Sequence, residues 1–321
     1  GQAGASDSRA PGTGSEALMN WRGMHVSEPA RLSVKQGQML LERRDGTFTF
    51  PLEDMAFLIL DTQQVSLTAA LMARCAEAGC LVICCNDKHM PCGSLLPFHT
   101  FHRHAETLQR QITLSEVRKK RLWQQIIRRK ILNQAWSLHR AGRPDEQAER
   151  LSVLSAKVKS GDSDNVEGAA ARLYWQYWEE HFNRDQDGAD RLNVMLNYGY
   201  ALVRALMARE LAGRGFSPSL GLHHRSMANA FNLADDMIEP WRPFVDSLAL
   251  AVWRKTSEQT AFSLEDRRAL ANVFFQPVRM DGAEMLLLDA VKKQIEQLRV
   301  FYLKLRDDIP LPCFPEDDKR G

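Results

Sequence analysis

Between residue 19 and about residue 100 the apolar positions come in short runs. Arg31–Val34, Gln38–Leu41, Thr47–Phe50 and Ala56–Leu60 are apolar or alternating, and Gly37, Asp45-Gly46 and Pro51–Asp54 punctuate them. That is the pattern of strands joined by turns. Ser66 to Gly79 reads as one helix, with Leu67, Ala70, Leu71 and Ala78 on its apolar side and Gly79 as its stop. Leu81–Cys85 and Gly93–Leu96 return to strand.

From about His102 the period lengthens to that of a helix and stays there to Ile309. Trp123, Ile126, Ile127 and Ile131 make one stripe, Ala201–Leu211 another, and Met285–Leu305 a long last helix. No segment beyond residue 100 alternates convincingly. The expectation is an α+β chain, with a small β-rich, sandwich-like domain over residues 19–100 and a larger all-helical domain over 101–309. Pro310–Gly321 reads as a polar tail. Residues 1–18 are small and polar, without the basic and apolar regions of a secretory signal, and read as an expression remnant or leader before Met19. No run of 18 apolar residues occurs, so the expected location is the cytoplasm.

Charge changes this picture more than composition does. The net charge of +2 hides a basic stretch from Phe101 to Arg143, where eleven Lys and Arg face two acids; the remainder carries seven more acids than bases. Seven of those positive charges fall within 13 residues, in Arg118-Lys119-Lys120-Arg121 and Arg128-Arg129-Lys130. Such density on one helix suits a polyanion such as DNA, through counterion release. A solvated helix face is the plainer reading. Arg118, Lys119, Arg121, Arg128, Arg129 and Lys130 are the candidate DNA-backbone contacts. Five of the six cysteines crowd into residues 75–92, but no C-x-x-C pair occurs and free, mostly buried thiols are expected rather than a metal cluster.

Candidate chemistry concentrates in Gly221–Asp246. From Ala228 onward, Phe231, Leu233, Ala234, Met237 and Ile238 follow a helical period, which gathers Asp235, Asp236 and Glu239 on one side. Crowded carboxylates repel unless a positive charge lies between them, and a divalent cation would serve. His224 is too far along a single helix to share that ion, so Gly221–Ser226 would have to fold back. A second acid, Glu167, opens a segment of small residues, Gly168–Ala171. It is equally explained as the third residue of a helix capped by Asp164. Likewise Glu239 could simply precede the break that Pro240 imposes.

Taken together and in order, several pieces resemble the CRISPR adaptation integrase family, CRISPR-associated protein one, in the short form found beside single-protein effectors. They are Glu167 in E-G-x-x-A-R, Leu196-Asn197-Tyr198-Gly199-Tyr200, His224 after Gly221-Leu222, and Asp236-Met237-Ile238-Glu239-Pro240 with Arg242-Pro243 behind. The likeness spans roughly Met19–Ile309. It implies an N-terminal β-sandwich and a helical catalytic domain, a homodimer, and a small ferredoxin-like partner, with the effector nuclease as a further possible associate. It also implies DNA as substrate, and Glu167, His224 and Glu239 as metal-binding catalytic residues supported by Asp236. Mg²⁺ or Mn²⁺ suits such a donor set. His223 has no counterpart in the family pattern. The reaction implied is insertion of short DNA fragments into a CRISPR array by attack of a 3′-hydroxyl on a phosphodiester. The alternatives are a structure-specific endonuclease of branched DNA at the same site and a non-catalytic helical DNA-binding scaffold.

Overall fold

The structure, a computed structural model, describes residues 5–9 (backbone only), 22–97, 103–256 and 259–315. The chain divides into two compact units, Gly1–Thr100 and Phe101–Gly321.

Among the described residues the first unit carries nine strands: β1 (Ala5–Arg9), β2 (Arg22–Val26), β3 (Ala30–Lys35), β4 (Gln38–Arg43), β5 (Gly46–Pro51), β6 (Met55–Leu60), β7 (Val65–Leu67), β8 (Leu81–Cys85) and β9 (Pro91–Ser94). They form a five-stranded sheet in the order β1-β2-β6-β8-β9 and a four-stranded sheet in the order β5-β4-β3-β7. The alternation in β4 turns Met39 and Leu41 inward, where they join Leu32 of β3 with Met24, Leu58, Leu60 and Val82 of the other sheet in one core. β6 is buried along its whole length, as a strand covered on both faces must be. Its described α-helix is α1 (Ala69–Ala78), capped by the Thr68 side chain and ended by Gly79 in the left-handed region. It begins three residues later than its apolar period suggests, because Val65–Leu67 pairs in parallel with β3.

Of the leader expected over residues 1–18, only Ala5–Arg9 falls among the described residues, and its backbone pairs antiparallel with β2. Cys75, Cys80 and Cys85 are buried free thiols, whereas Cys84 and Cys92 are exposed.

The second unit is built on α2 (His104–Thr113), α3 (Glu116–Arg140), α4 (Asp145–Lys157), α5 (Val166–Trp178), α6 (Arg191–Gly213), α7 (Asn232–Ile238), α8 (Arg242–Lys255), α9 (Leu264–Ala271) and α10 (Leu287–Tyr302). On α3, Leu122, Trp123, Ile126, Ile127, Ile131 and Leu138 are buried. Each such side chain contributes about 1.5–3 kcal/mol relative to exposure, so this stripe anchors the unit. α6 is buried on nearly every side. Its first turn is fixed by Arg191, whose guanidinium meets buried Asp266 of α9 at 2.9 and 2.6 Å.

The helical half is not wholly helical. Pro277–Met280 (β10) and Ala283–Leu286 (β11) form a hairpin across Asp281-Gly282, both at positive φ, the dipeptide that a tight hairpin turn favours. The stretch beginning at Pro310, expected as a polar tail, packs where it is described. Cys313 pairs with Arg279, and buried Phe314 stacks on Phe244 at 4.1 Å. Residues 316–321 lie outside the described residues. Among the described residues no helix is long and apolar enough to cross a membrane.

Candidate active site

Four backbone N–H groups at the start of α5 need acceptors from outside the helix. Asn165, at φ 51°, accepts from Gly168, while the two Asp162 oxygens accept from Val166 and Glu167 at 2.9 and 3.1 Å. The cap is therefore Asn165 reinforced by Asp162, and Asp164, expected in that role, pairs with Lys159 instead. Glu167 stands in the first turn with its side chain free to reach away from the helix.

It reaches Lys130 of α3. The Lys130 Nζ lies 2.5 Å from Glu167 Oε1 and 2.5 Å from Glu239 Oε2. Two carboxylates from distant parts of the chain thus converge on one positive charge. Burial disfavours the Lys130 ammonium, but Glu239 and Glu167 outweigh it and its pKa is raised. Burial likewise opposes ionisation of Glu239, yet Arg242 and Lys130 bring its pKa down to about 2.

Glu239 is placed by the way α7 ends. Pro240 interrupts the helix as a 3-10 turn over Glu239–Trp241. Asn133 of α3 holds that turn by donating to the Pro240 carbonyl at 2.8 Å and to the Pro312 carbonyl at 3.0 Å. One turn later Arg242 donates from Nε to Glu239 Oε1 at 2.9 Å, its guanidinium lying 4.7 Å over the Tyr200 ring. The Tyr200 and Tyr174 hydroxyls both donate to buried Asp246. Burial pushes that carboxyl up to about 7, against the two tyrosine hydrogen bonds.

His224 sits on the loop between α6 and α7, which folds back so that Asp236 gathers it in. Asp236 Oδ2 accepts from the N–H groups of Leu222 and His223 at 2.6 and 3.0 Å. Its Oδ1 accepts from the His224 N–H at 3.1 Å and lies 2.6 Å from His224 Nδ1. A carboxylate only accepts, so Nδ1 carries the hydrogen and Nε2 is left to bind an ion or a proton. The Asp236 hydrogen bond raises the His224 pKa against partial burial, and the Glu239 charge adds to it. His223 acts differently, since its ring stacks flat on buried Trp123 at 4.3 Å and so fixes the loop on α3. Gly221 makes the turn possible, because a Cβ there would lie 2.3 Å from the His224 carbonyl oxygen. His224 lines an open cleft of about 480 Å³ with Gln111, Lys119, Arg225 and Asn229.

The clustered acids of Gly221–Asp246 do not share one cation. Asp235 pairs with Arg204 at 2.6 Å, Asp236 is occupied by the loop, and Glu239 by Lys130 and Arg242. Among the described residues no three His, Cys, Asp or Glu side chains are gathered closely enough to hold a metal ion. The donors nevertheless fit a hard divalent cation in kind. Glu167 and Glu239 already converge on a cation, Glu239 Oε2 is buried against it, and His224 is held through Nδ1 so that Nε2 is left over, as in ligating histidines.

The basic helix divides. Arg118 donates to the Phe301 and Arg306 carbonyls and pairs with Asp307. Arg128 donates to the Val158 carbonyl at 3.1 Å, Lys119 pairs with Glu116, and Lys130 is buried in the acidic pair. Arg121 is exposed and Arg129 half-buried. Charge density located the helix but could not separate cations turned to solvent from those that tie α3 to its neighbours. Two residues that shape the site, Lys130 between the acids and Asn133, carry no signal of that role in the sequence, whereas Gly221 stands in the pattern ahead of His224. The first is visible there only as one more charge in a basic run.

The family described as CRISPR associated protein Cas1 matches residues 24–273. A CRISPR-associated endonuclease Cas1 of Neisseria meningitidis is 36% identical over 301 residues, covering 91% of this chain and 98% of that protein. Among solved structures, a chain of a Cas6-RT-Cas1–Cas2 complex superposes with a TM-score of 0.69 at 19% identity, over 92% of this chain and 36% of that longer one. A casposase bound to its integration product gives 0.68 at 16% identity, over 88% of this chain and 90% of that one.

Proposed function

The chain belongs to the CRISPR associated protein Cas1 family, and on that premise we propose that it is a metal-dependent DNA integrase and endonuclease that inserts short fragments into a CRISPR array. The observation that carries this reading is the convergence of Glu167 and Glu239 on one cation position; Asp236 separately orients His224, which feels the Glu239 charge.

Glu167, Glu239 and His224 Nε2 are the groups that would hold Mg²⁺ or Mn²⁺. When bound, such an ion supplies Lewis-acid polarisation of a phosphoryl oxygen and lines up the attacking hydroxyl. The remaining work falls to the chain itself. Arg242 keeps Glu239 ionised and pointed inward, so that acid stays charged at neutral pH. Asp236 keeps the His224 hydrogen on Nδ1, so Nε2 can serve as a ligand or accept the proton of the incoming 3′-hydroxyl. Arg121, exposed on α3, offers charge to the phosphate backbone.

The neisserial relative is named an endonuclease, and the same groups would support hydrolysis with water in place of the 3′-hydroxyl. The assembly proposed is a homodimer that works with a small ferredoxin-like partner. One structural relative lies in a complex named for Cas1 and Cas2. A 3′-hydroxyl DNA fragment incubated with a supercoiled repeat-bearing plasmid and Mn²⁺ tests the reaction type. Joined product supports integration, nicking without joining supports the endonuclease reading, and neither leaves a non-catalytic DNA-binding scaffold.

A further inference from the structure

We infer that Lys130 is a built-in counter-cation that holds the Glu167–Glu239 gap in the absence of metal and must leave it when a divalent ion enters. The inference rests on the proposed metal site.

Three observations support it. The ammonium touches both acids at 2.5 Å, so the two oxygens lie no farther apart than twice that distance, with the nitrogen between them. Lys130 and Glu239 are withdrawn from water, at 12% and 6% exposed, and Glu167 is partly so at 26%. Two carboxylates drawn together with one of them buried need a compensating charge, and Lys130 places it against Glu239 Oε2. Finally, the other base at the site, Arg242, is bonded to Glu239 Oε1 and lies over Tyr200. It cannot also serve Glu167.

A lysine and a divalent ion are exclusive occupants here. Both need the same two oxygens, and in a low-dielectric pocket their like charges repel strongly. A lysine suits a displaceable role because its point charge rides on a flexible four-carbon stem, unlike the planar fork of an arginine. The exchange would keep both acids in place before the ion arrives. The released ammonium would then be left at the rim of the site.

The test uses the full chain and two readouts other than activity. In the first, reductive methylation of the unsubstituted protein is followed at Lys130 by peptide mass spectrometry, at constant ionic strength, with increasing Mn²⁺ and with bound Mn²⁺ monitored by electron paramagnetic resonance. Labelling of Lys130 should be slow without the ion and rise severalfold with occupancy, while Lys157 stays constant. In the second, Mn²⁺ is titrated into wild type, Lys130→Met and Glu239→Gln. Lys130→Met should bind about tenfold tighter or more, and Glu239→Gln much more weakly than wild type. Bound Mn²⁺ with unchanged or reduced Lys130 labelling overturns the displacement and leaves the metal reading intact. No bound Mn²⁺ in wild type or Lys130→Met overturns both.

Discussion

Asp236 holds His224 at two points, accepting from its backbone N–H at 3.1 Å and facing its ring Nδ1 at 2.6 Å through the same oxygen. The other oxygen of Asp236 secures the two preceding backbone N–H groups. One buried carboxylate therefore sets both the path of the loop and the orientation of the imidazole.

Asp236→Asn should damage both. Its amide would turn N–H toward donors that now have an acceptor, at a cost of about 2–3 kcal/mol in stability, and Nε2 would lose its fixed direction, at about 10–100-fold in activity. Because Asp236 raises the His224 pKa, the associated stability is full below the unfolded histidine value and lost as pH rises through the folded one. That dependence should vanish in the variant. Urea denaturation at several pH values alongside a strand-joining assay would expose the error if neither quantity moved.

Gly221→Ala probes how tightly the loop folds back. The added methyl would meet the His224 carbonyl oxygen at 2.3 Å and Asp236 Oδ2 at 2.8 Å, so the loop has to shift. The expected loss is on the order of 1–3 kcal/mol, with activity falling further than stability accounts for. Full activity in a normally folded variant would show that the loop position is not critical.

How much of this was legible in the sequence depended on whether a residue acts through its neighbours in the chain or across space. The strands β3 to β6 follow from alternation and turn residues, and α3 from its apolar stripe, because local period encodes local structure. β2 had no such flanking signal. The hairpin β10–β11 did, in Asp281-Gly282 between apolar residues, but the long helical pattern around it masks that signal. The proposed site residues Glu167, His224 and Glu239 rest on ordered resemblance. What they touch could not come from spacing, since Lys130 lies 37 residues from Glu167 and its charge looked like that of its exposed neighbours. The grouping of Asp235, Asp236 and Glu239 around one cation fails, because α7 ends at Ile238 and each acid has its own partner.

Of the basic residues of α3, Arg118 should behave as a structural residue and Arg121 as a DNA contact. Arg118→Ala removes two hydrogen bonds to carbonyls and a guanidinium lying 4.5 Å over the Phe301 ring. It should lower stability by about 1–3 kcal/mol and leave the salt slope of DNA binding unchanged. Arg121→Ala, at an exposed position, should leave stability unchanged and reduce that slope by roughly 0.9. Fluorescence anisotropy across a salt series, paired with thermal melts, would reject the division if the two effects were exchanged.

Asp246 makes stability depend on pH in a defined window. Its carboxyl ordinarily titrates at 3.8 and in the fold at about 7, so between those values the native protein holds a proton that the unfolded chain has released. Stability should therefore fall as pH rises from about 4 to about 7 and level off above, by an amount on the order of a few kcal/mol. Asp246→Asn should flatten this slope. Chemical denaturation at pH 5, 6, 7 and 8 checks it; parallel slopes for both proteins would remove Asp246 as the cause.

The central claim is that Glu167, His224 and Glu239 act as one metal-dependent catalytic centre. Joining of a 3′-hydroxyl DNA fragment to a repeat-bearing plasmid, with Mn²⁺ and with chelator, measures it directly in wild type, Glu167→Gln, His224→Ala and Glu239→Gln. The account predicts that chelation abolishes joining and that each substitution costs about a hundredfold or more while the protein remains folded. Divalent-dependent joining that survives all three substitutions would contradict it.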